Sequence, residues 1–150
     1  MLKEGDKAPD IRLETDGGEP FQLSALKGKK VVLYFYPKAD TPGCTVEACE
    51  FRDFSKEFAK KNAVIVGISP DAVKSQSKFK GKFDLPFTLL ADVDKAAAEA
   101  YGVYKEKNMY GRKVMGIVRT TFVIGEGGKI EKMFPKVKAG GHAEQVLAAL

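Results

Sequence analysis

The chain is poor in the residues that build metal centres and disulfide frameworks. Its 150 residues include one histidine, His142, and two cysteines, Cys44 and Cys49. A structural zinc site needs four ligands and a disulfide scaffold needs several cysteine pairs, so the sequence predicts neither. A chain of this length can bury a core without covalent crosslinks, and we expect residues 1–150 to form a single domain.

Long apolar segments are also missing. No run of apolar residues is long enough to span a bilayer, and the opening MLKEGDKAPDIRLE has no apolar core of the kind that secretory signals carry. Together with the low cysteine count, this favours a cytoplasmic protein that does not enter the membrane. In a reducing compartment a cysteine pair is more often catalytic, redox-active or metal-binding than structural.

The charge is moderately positive. There are 25 basic and 20 acidic side chains, which gives a formal net charge of +5. The densest basic cluster, Lys74, Lys78, Lys80 and Lys82, lies on one predicted helix and is typical of a solvated face. No nucleic-acid motif accompanies the charge, so we predict no nucleic-acid partner, although the positive field could steer an acidic protein.

Apolar runs alternate with amphipathic segments along the chain. Strands are predicted at 31–36, 63–68, 87–90 and, as the two arms of a hairpin, at 120–124 and 129–134. Helices are predicted at 42–61, 71–82, 93–101 and 142–150, after a short N-terminal hairpin extension. The alternation predicts an α/β fold in which helices flank a central mixed sheet.

Both cysteines lie in one segment, YFYPKADTPGCTVEACEFRDF, residues 34–54. Thr41 is a favourable N-cap residue and Pro42 suits the first position of a helix, so Cys44 is predicted in the first helical turn. Unpaired backbone N–H groups and the positive end of the helix dipole favour a thiolate at that place. Gly43 leaves room for another group to approach the sulfur.

A thiolate alone is not a sufficient catalyst, because full ionisation near pH 7 increases the reactive species by at most about 30-fold. Donors must also hold the substrate and stabilise charge on the leaving atom. Within the segment, the Thr41 hydroxyl and the first-turn N–H groups can do so. We predict that Arg119, which directly precedes the strand 120–124, reaches the same place, whereas Glu47 and Arg52 are expected behind the site or at the surface.

The spacing of the two cysteines prevents a disulfide within an intact helix. Positions five apart have Cα atoms about 8–9 Å apart, whereas a disulfide needs roughly 7 Å or less. Cys44 shares the inward face of Phe51, and Cys49 is predicted to point elsewhere, toward solvent. The segment is therefore predicted to switch between a helical dithiol and a locally unwound disulfide.

At this point the sequence resembles a known family. Pro37, Thr41 and Cys44 match the PxxxTxxC signature of the peroxiredoxins. The longer string TPGCTVEACEFRD, residues 41–53, resembles the peroxiredoxin Q class, also called bacterioferritin-comigratory protein. The similarity continues through GDKAPDIRL, GISPD and RTTFVI, and thus covers nearly the whole chain.

The resemblance implies a thioredoxin-like fold and a thiol peroxidase that needs no cofactor. It implies that a hydroperoxide oxidises Cys44, the peroxidatic cysteine, to a sulfenic acid, which Cys49 resolves as a Cys44–Cys49 disulfide. Thr41 and Arg119 would activate the peroxide, and Pro37 would shield the pocket. Thioredoxin or a similar protein would reduce the disulfide, and we expect a monomer.

Two other functions remain open on the residues alone. A general disulfide oxidoreductase of the thioredoxin type would carry CxxC and a proline before the strand that precedes its terminal hairpin, where this chain has Arg119-Thr120. A redox-sensing binding protein would use unwinding of the helix to capture partners. The spacing of the cysteines and the missing proline argue against the first alternative.

Overall fold

The computed structural model describes residues 2–150. Its nine strands are β1 Arg12–Thr15, β2 Pro20–Gln22, β3 Lys30–Phe35, β4 Ala63–Ser69, β5 Thr88–Ala91, β6 Tyr104–Met109, β7 Arg112–Ile117, β8 Thr120–Ile124 and β9 Ile130–Phe134. Its helices are α1 Pro42–Asp53, α2 Ser55–Lys60, α3 Val73–Phe83, α4 Ala96–Ala100 and α5 His142–Ala148, with a 3₁₀ helix at Leu23–Leu26. No helix among residues 2–150 combines the length and the apolar character needed to cross a membrane.

Seven of the strands form one mixed sheet in the order β2-β1-β5-β4-β3-β8-β9. The central strands β3, β4 and β5 are parallel, and the strands on either side of them pair antiparallel. This confirms the predicted strands, the terminal hairpin and the N-terminal hairpin. Parallel central strands explain the continuous apolar runs, because both of their faces are buried.

The core lies on both faces of this sheet, and β3 divides it by alternation. Val31, Leu33 and Phe35 face a cluster that includes α4. Val32 and Tyr34 face the other cluster, to which α1, α2, α3 and α5 contribute. Alternate residues of a strand point to opposite faces, so one run supplies both layers.

Two of the four predicted helices differ clearly from their predicted bounds, while the other two agree within two residues. The segment 42–61 contains a break at Phe54, which separates α1 from α2, although Phe54 still donates its N–H to the Glu50 carbonyl oxygen. The predicted helix 93–101 is reduced to Ala96–Ala100, because Lys95 adopts a left-handed φ of +61° and the buried Asp92 carboxylate accepts hydrogen bonds at the start of the helix.

The hairpin β6–β7 is the element that the sequence analysis missed, since it assigned nothing to residues 102–119. Its turn consists of Tyr110 and Gly111, whose φ values of +52° and +78° suit a type I′ turn. The hairpin forms a two-stranded sheet of its own and most of its side chains are exposed. Because it buries little apolar surface, its sequence lacks the apolar runs from which the other strands were predicted.

Candidate active site

The sheet brings the two predicted halves of the site together. β3 ends at Phe35, and the chain then runs through the loop 36–41 into α1. Antiparallel β8 begins beside that end, with Thr120 paired to Phe35. Arg119, the residue before Thr120, is consequently placed next to the start of α1.

Cys44 lies in the first turn of α1 and is buried, with 1 % of its surface exposed. Arg119 Nη2 donates a hydrogen bond to Cys44 Sγ at 3.3 Å. A Cβ atom at Gly43 would lie 3.2 Å from the same nitrogen, closer than most contacts of this kind. The glycine therefore gives the guanidinium the space that it occupies above the helix start.

Glu47 is the second acidic group at this guanidinium. Of the two predicted places, behind the site or at the surface, it occupies the first: its side chain is fully buried and Oε1 accepts a hydrogen bond from Arg119 Nη1 at 2.6 Å. Burial raises the pKa of Glu47 to about 7, against the opposing effect of Arg119. Oε2 has no partner among the described residues.

Arg119 holds its charge despite partial burial. Burial lowers its pKa, but the charges of Glu47 and Cys44 and its hydrogen bonds to both outweigh burial, so the pKa is raised overall. Glu47 is three residues after Cys44 on α1, and positions at that spacing share a helix face. This spacing was the available sequence signal for Glu47, but nothing in the sequence alone indicated burial against Arg119.

Thr41 occupies the N-cap position of α1 but does not cap the helix with its side chain. Its hydroxyl instead donates a hydrogen bond to the Lys38 carbonyl oxygen at 2.8 Å, which folds the loop 36–41 back on itself. The predicted N-cap residue and helix start are therefore correct, although the Thr41 hydroxyl makes no capping hydrogen bond. Pro37 lies half-buried at the beginning of the same loop.

Cys49 is a half-buried free thiol on α1, and Cys44 is also free. Arg52, predicted behind the site or at the surface, pairs with Asp53 and donates a hydrogen bond to the Phe83 carbonyl oxygen. Because α1 is regular from Pro42 to Asp53, both cysteines are held in helix and cannot bond to each other in this conformation.

Tyr34 and His142 both have structural roles. Tyr34 lies on β3 and stacks on Phe51 at 4.7 Å, and burial raises its pKa well above the usual value. His142 begins α5 as expected, buried against Thr121 Oγ1 at 2.7 Å. Across residues 2–150, no group of three or more acidic, histidine or cysteine side chains is placed to hold a metal ion.

Lys107 is a further charged residue near the site that the sequence analysis did not identify. It lies on β6, and the charges of Arg119 and Cys44 both act on its pKa. No sequence signal pointed to it, because the hairpin that carries it was not predicted.

Comparison of the sequence with known proteins identifies similar proteins that all belong to one family. Residues 4–133 match the AhpC/TSA family. A putative peroxiredoxin bcp of Coxiella burnetii is 53 % identical over 149 residues, which are 99 % of this chain and 99 % of that protein. Peroxiredoxin Bcp of Bacillus subtilis is 50 % identical, over 97 % of this chain and 93 % of its own length.

Solved structures agree with the sequence relatives. A cysteine-to-serine mutant of PrxQ from Xylella fastidiosa superposes with a TM-score of 0.94 at 38 % identity, covering 99 % of this chain and 95 % of that one. A cysteine-to-serine mutant of peroxiredoxin Q from Xanthomonas campestris superposes with a TM-score of 0.89 at 45 % identity, covering 93 % and 88 % of the two chains.

Proposed function

The chain belongs to the AhpC/TSA family and is a peroxiredoxin with a thioredoxin-like fold, and from that premise we propose which of its residues carry out the reaction. The enzyme is a thiol-dependent peroxidase that acts on hydroperoxides and is recycled by a thioredoxin-type reductant. We assign the peroxidatic role to Cys44, the resolving role to Cys49, and peroxide activation to Arg119 and Thr41, with Pro37 shielding the pocket.

In the first step the Cys44 thiolate attacks one oxygen of the hydroperoxide. The O–O bond breaks and the sulfur becomes a sulfenic acid. The second oxygen takes a proton from solvent, equivalent to the one that Cys44 released on ionising, and leaves as water or an alcohol. Arg119 Nη2 is 3.3 Å from Sγ, so the same guanidinium can stabilise the thiolate before attack and the developing negative charge on the leaving oxygen.

In the second step the Cys49 thiol attacks the Cys44 sulfenic acid. A disulfide forms and the sulfenic oxygen leaves as water. Since both residues lie on the regular helix α1, its first turns must unwind before the two sulfurs can meet. A dithiol reductant then attacks the disulfide and restores both thiols by exchange.

The observation that carries this assignment is the contact between Arg119 Nη2 and Cys44 Sγ at a helix N-terminus. A cysteine with a purely structural role would not require a guanidinium at its sulfur, oriented by the Glu47 carboxylate. The thioredoxin-type disulfide oxidoreductase and the redox-sensing binding protein are not favoured, since the relatives over the whole chain are peroxiredoxins.

Single-atom variants of the two cysteines test the roles. Cys44→Ser should abolish peroxide consumption, while Cys49→Ser should consume one equivalent of peroxide and stop as a Cys44 sulfenic acid in the absence of added thiols. Peroxide titration of the reduced proteins, followed by intact mass and disulfide mapping, measures both outcomes. Sustained turnover by Cys44→Ser would refute the assignment.

We further propose that residues 1–150 act as one domain and as a monomer in the cytoplasm. Both core clusters pack on the same sheet, which supports a single folding unit. A content of only two cysteines suits a reducing compartment. Sedimentation equilibrium of the reduced protein tests the monomer, and a concentration-dependent mass would contradict it.

A further inference from the structure

The hairpin β6–β7 leads directly into the active site. β7 ends at Ile117, and two residues later the chain reaches Arg119. The base of the hairpin is closed by a hydrogen bond from the Val118 N–H to the Val103 carbonyl oxygen at 2.9 Å, and the buried side chains of Val103 and Ile117 anchor it in the core. Side chains at this base are therefore held at a defined distance from the guanidinium that contacts Cys44.

Lys107 reaches this base across the hairpin. Its Nζ donates a hydrogen bond to the Ile117 carbonyl oxygen at 2.5 Å, so its charge lies beside the strand end that carries Arg119. The side chain passes over Gly116, where a Cβ atom would lie 3.0 Å from Lys107 Cδ. A side chain at position 116 would crowd Lys107, so Gly116 allows the lysine to adopt this conformation and fixes where its ammonium group lies.

The ammonium group of Lys107 interacts electrostatically with two groups of the site. Burial and the nearby Arg119 lower its pKa, while the Cys44 thiolate raises it, so both groups of the reaction centre act on it. Within residues 2–150, no carboxylate lies within ion-pair distance of Lys107 Nζ. Its only hydrogen-bond partner in that range is a carbonyl oxygen, so its positive charge is not neutralised locally.

This extra cation opposes the negative charge at the centre. Without it, one guanidinium serves two acidic groups, Cys44 and Glu47. A second positive charge near them favours the approach of an anionic substrate.

We propose that Lys107 is a specificity-determining residue of the peroxidase site, and that it favours hydroperoxides which carry a carboxylate or another negative group close to the O–O bond. The inference rests on the proposed function of Cys44. Val114 lies directly across from Lys107 in the hairpin and is 39 % exposed, so an apolar side chain accompanies the lysine on this face of the hairpin.

The experiment compares two substrates of the same shape. One is a tertiary alkyl hydroperoxide with a carboxylate on the adjacent carbon, and the other is its neutral methyl ester. The ratio of kcat/KM for the acid to that for the ester is measured in wild type, Lys107→Gln and Lys107→Arg, with dithiothreitol as reductant. Lys105→Met is the matched control, because Lys105 lies on the same strand and face with its side chain exposed.

Lys107→Gln should lower the ratio about fivefold, the size expected for loss of one partly exposed charge near the reacting atoms, while Lys107→Arg and Lys105→Met should keep it. A merely structural role would reduce both substrates equally and leave the ratio unchanged, which would overturn the proposal. Raising the ionic strength should lower the ratio in the wild type, and this measurement needs no variant. A salt-independent ratio would also overturn it.

Alkylation separates failure of this proposal from failure of the peroxidase assignment. Iodoacetate and iodoacetamide differ in charge, and both modify a thiolate without any peroxide chemistry. Their relative rates at Cys44, read by peptide mass, should shift toward iodoacetamide in Lys107→Gln. An unchanged ratio with normal ester turnover would refute the role of Lys107 alone, whereas absent ester turnover in the wild type would refute the peroxidase assignment.

Discussion

At the residue scale, the site depends on one guanidinium that is shared between two anions. Arg119 uses Nη2 for Cys44 and Nη1 for Glu47, so the carboxylate fixes the orientation in which the guanidinium meets the sulfur. A lysine could not make both contacts in this fixed geometry, because its ammonium is a single point charge. Glu47 is thus a positioning residue, and its burial is the cost of that geometry.

The burial of Glu47 predicts a pH-dependent loss of stability. Its pKa in the folded protein is about 7, above the ordinary value of 4.5, so the folded state binds the proton more tightly than the unfolded state. Stability from this group is fully present below about pH 4.5 and is lost as pH rises through about 7, by at most about 3 kcal/mol. Denaturant unfolding at pH 5 and pH 8 should show a smaller loss in Glu47→Gln than in wild type.

The exposed Glu57 on α2 supplies the control for this measurement. Glu57→Gln should follow the wild-type pH dependence, because its side chain is exposed to solvent. If wild type and Glu47→Gln lose the same stability between the two pH values, the buried carboxylate does not titrate as described.

At the element scale, α1 holds the two thiols apart and must open for turnover. The first turn begins with the Thr45 N–H donated to the Thr41 carbonyl oxygen at 2.8 Å, and unwinding removes bonds of this kind together with the burial of Cys44. We expect the Cys44–Cys49 disulfide to lower helical content and to reduce amide protection at residues 42–50 by at least about tenfold.

Circular dichroism and hydrogen exchange on the reduced and oxidised proteins measure this change. Cys49→Ser treated with one equivalent of peroxide is the matched control, since it is oxidised at Cys44 but cannot form the disulfide, and it should keep the helix. Equal protection of residues 42–50 in the two redox states of the wild type would contradict the unwinding step.

Strand β4 requires glycine at position 67 because of packing. A Cβ atom at Gly67 would lie 2.9 Å from the Tyr34 ring and from Leu89 Cδ2, so the buried ring of Tyr34 occupies the space that a side chain would need. Gly67→Ala should destabilise the protein by about 1–3 kcal/mol through overpacking. Gly81→Ala on the exposed part of α3, where nothing lies within 4 Å, should instead stabilise it by about 0.5–1 kcal/mol.

Denaturant unfolding of wild type and of the two alanine variants measures the change in the free energy of unfolding for each substitution. The expected signs are opposite for the same chemical change, so the comparison separates packing from backbone entropy. A neutral Gly67→Ala would show that Tyr34 can move without cost, and that the ring is not held as tightly as the distances imply.

At the scale of the whole molecule, the net charge of +5 bears on the encounter with the reductant. The second-order rate of reduction by an acidic thioredoxin-type protein should fall by about tenfold between low salt and about 0.5 M ionic strength, because salt screens long-range attraction. Reduction by dithiothreitol, a small neutral dithiol, is the control and should change little. A salt-independent rate with the acidic protein would mean that the positive field does not assist the encounter.

The sequence by itself determined what depends on neighbouring residues. Alternation in the run 31–36, the start of α1 at Pro42, the first-turn place of Cys44 and the shared face of Cys44 and Phe51 all follow from local periodicity and helix-start chemistry. The sequence also indicated that Arg119 directly precedes a strand, but its contact with Cys44 depends on the pairing of β3 with β8.

Only the tertiary structure decided the contacts that complete the site. Arg119 is 75 residues from Cys44 and 72 from Glu47 in sequence, and periodicity carries no information at such separations. The burial of Glu47 and the reach of Lys107 from an unpredicted hairpin depend on which strands pair and where their ends meet. Local patterns set the elements, but sheet pairing alone determines which charges share a buried space, because electrostatic effects depend on distance and desolvation rather than on sequence order.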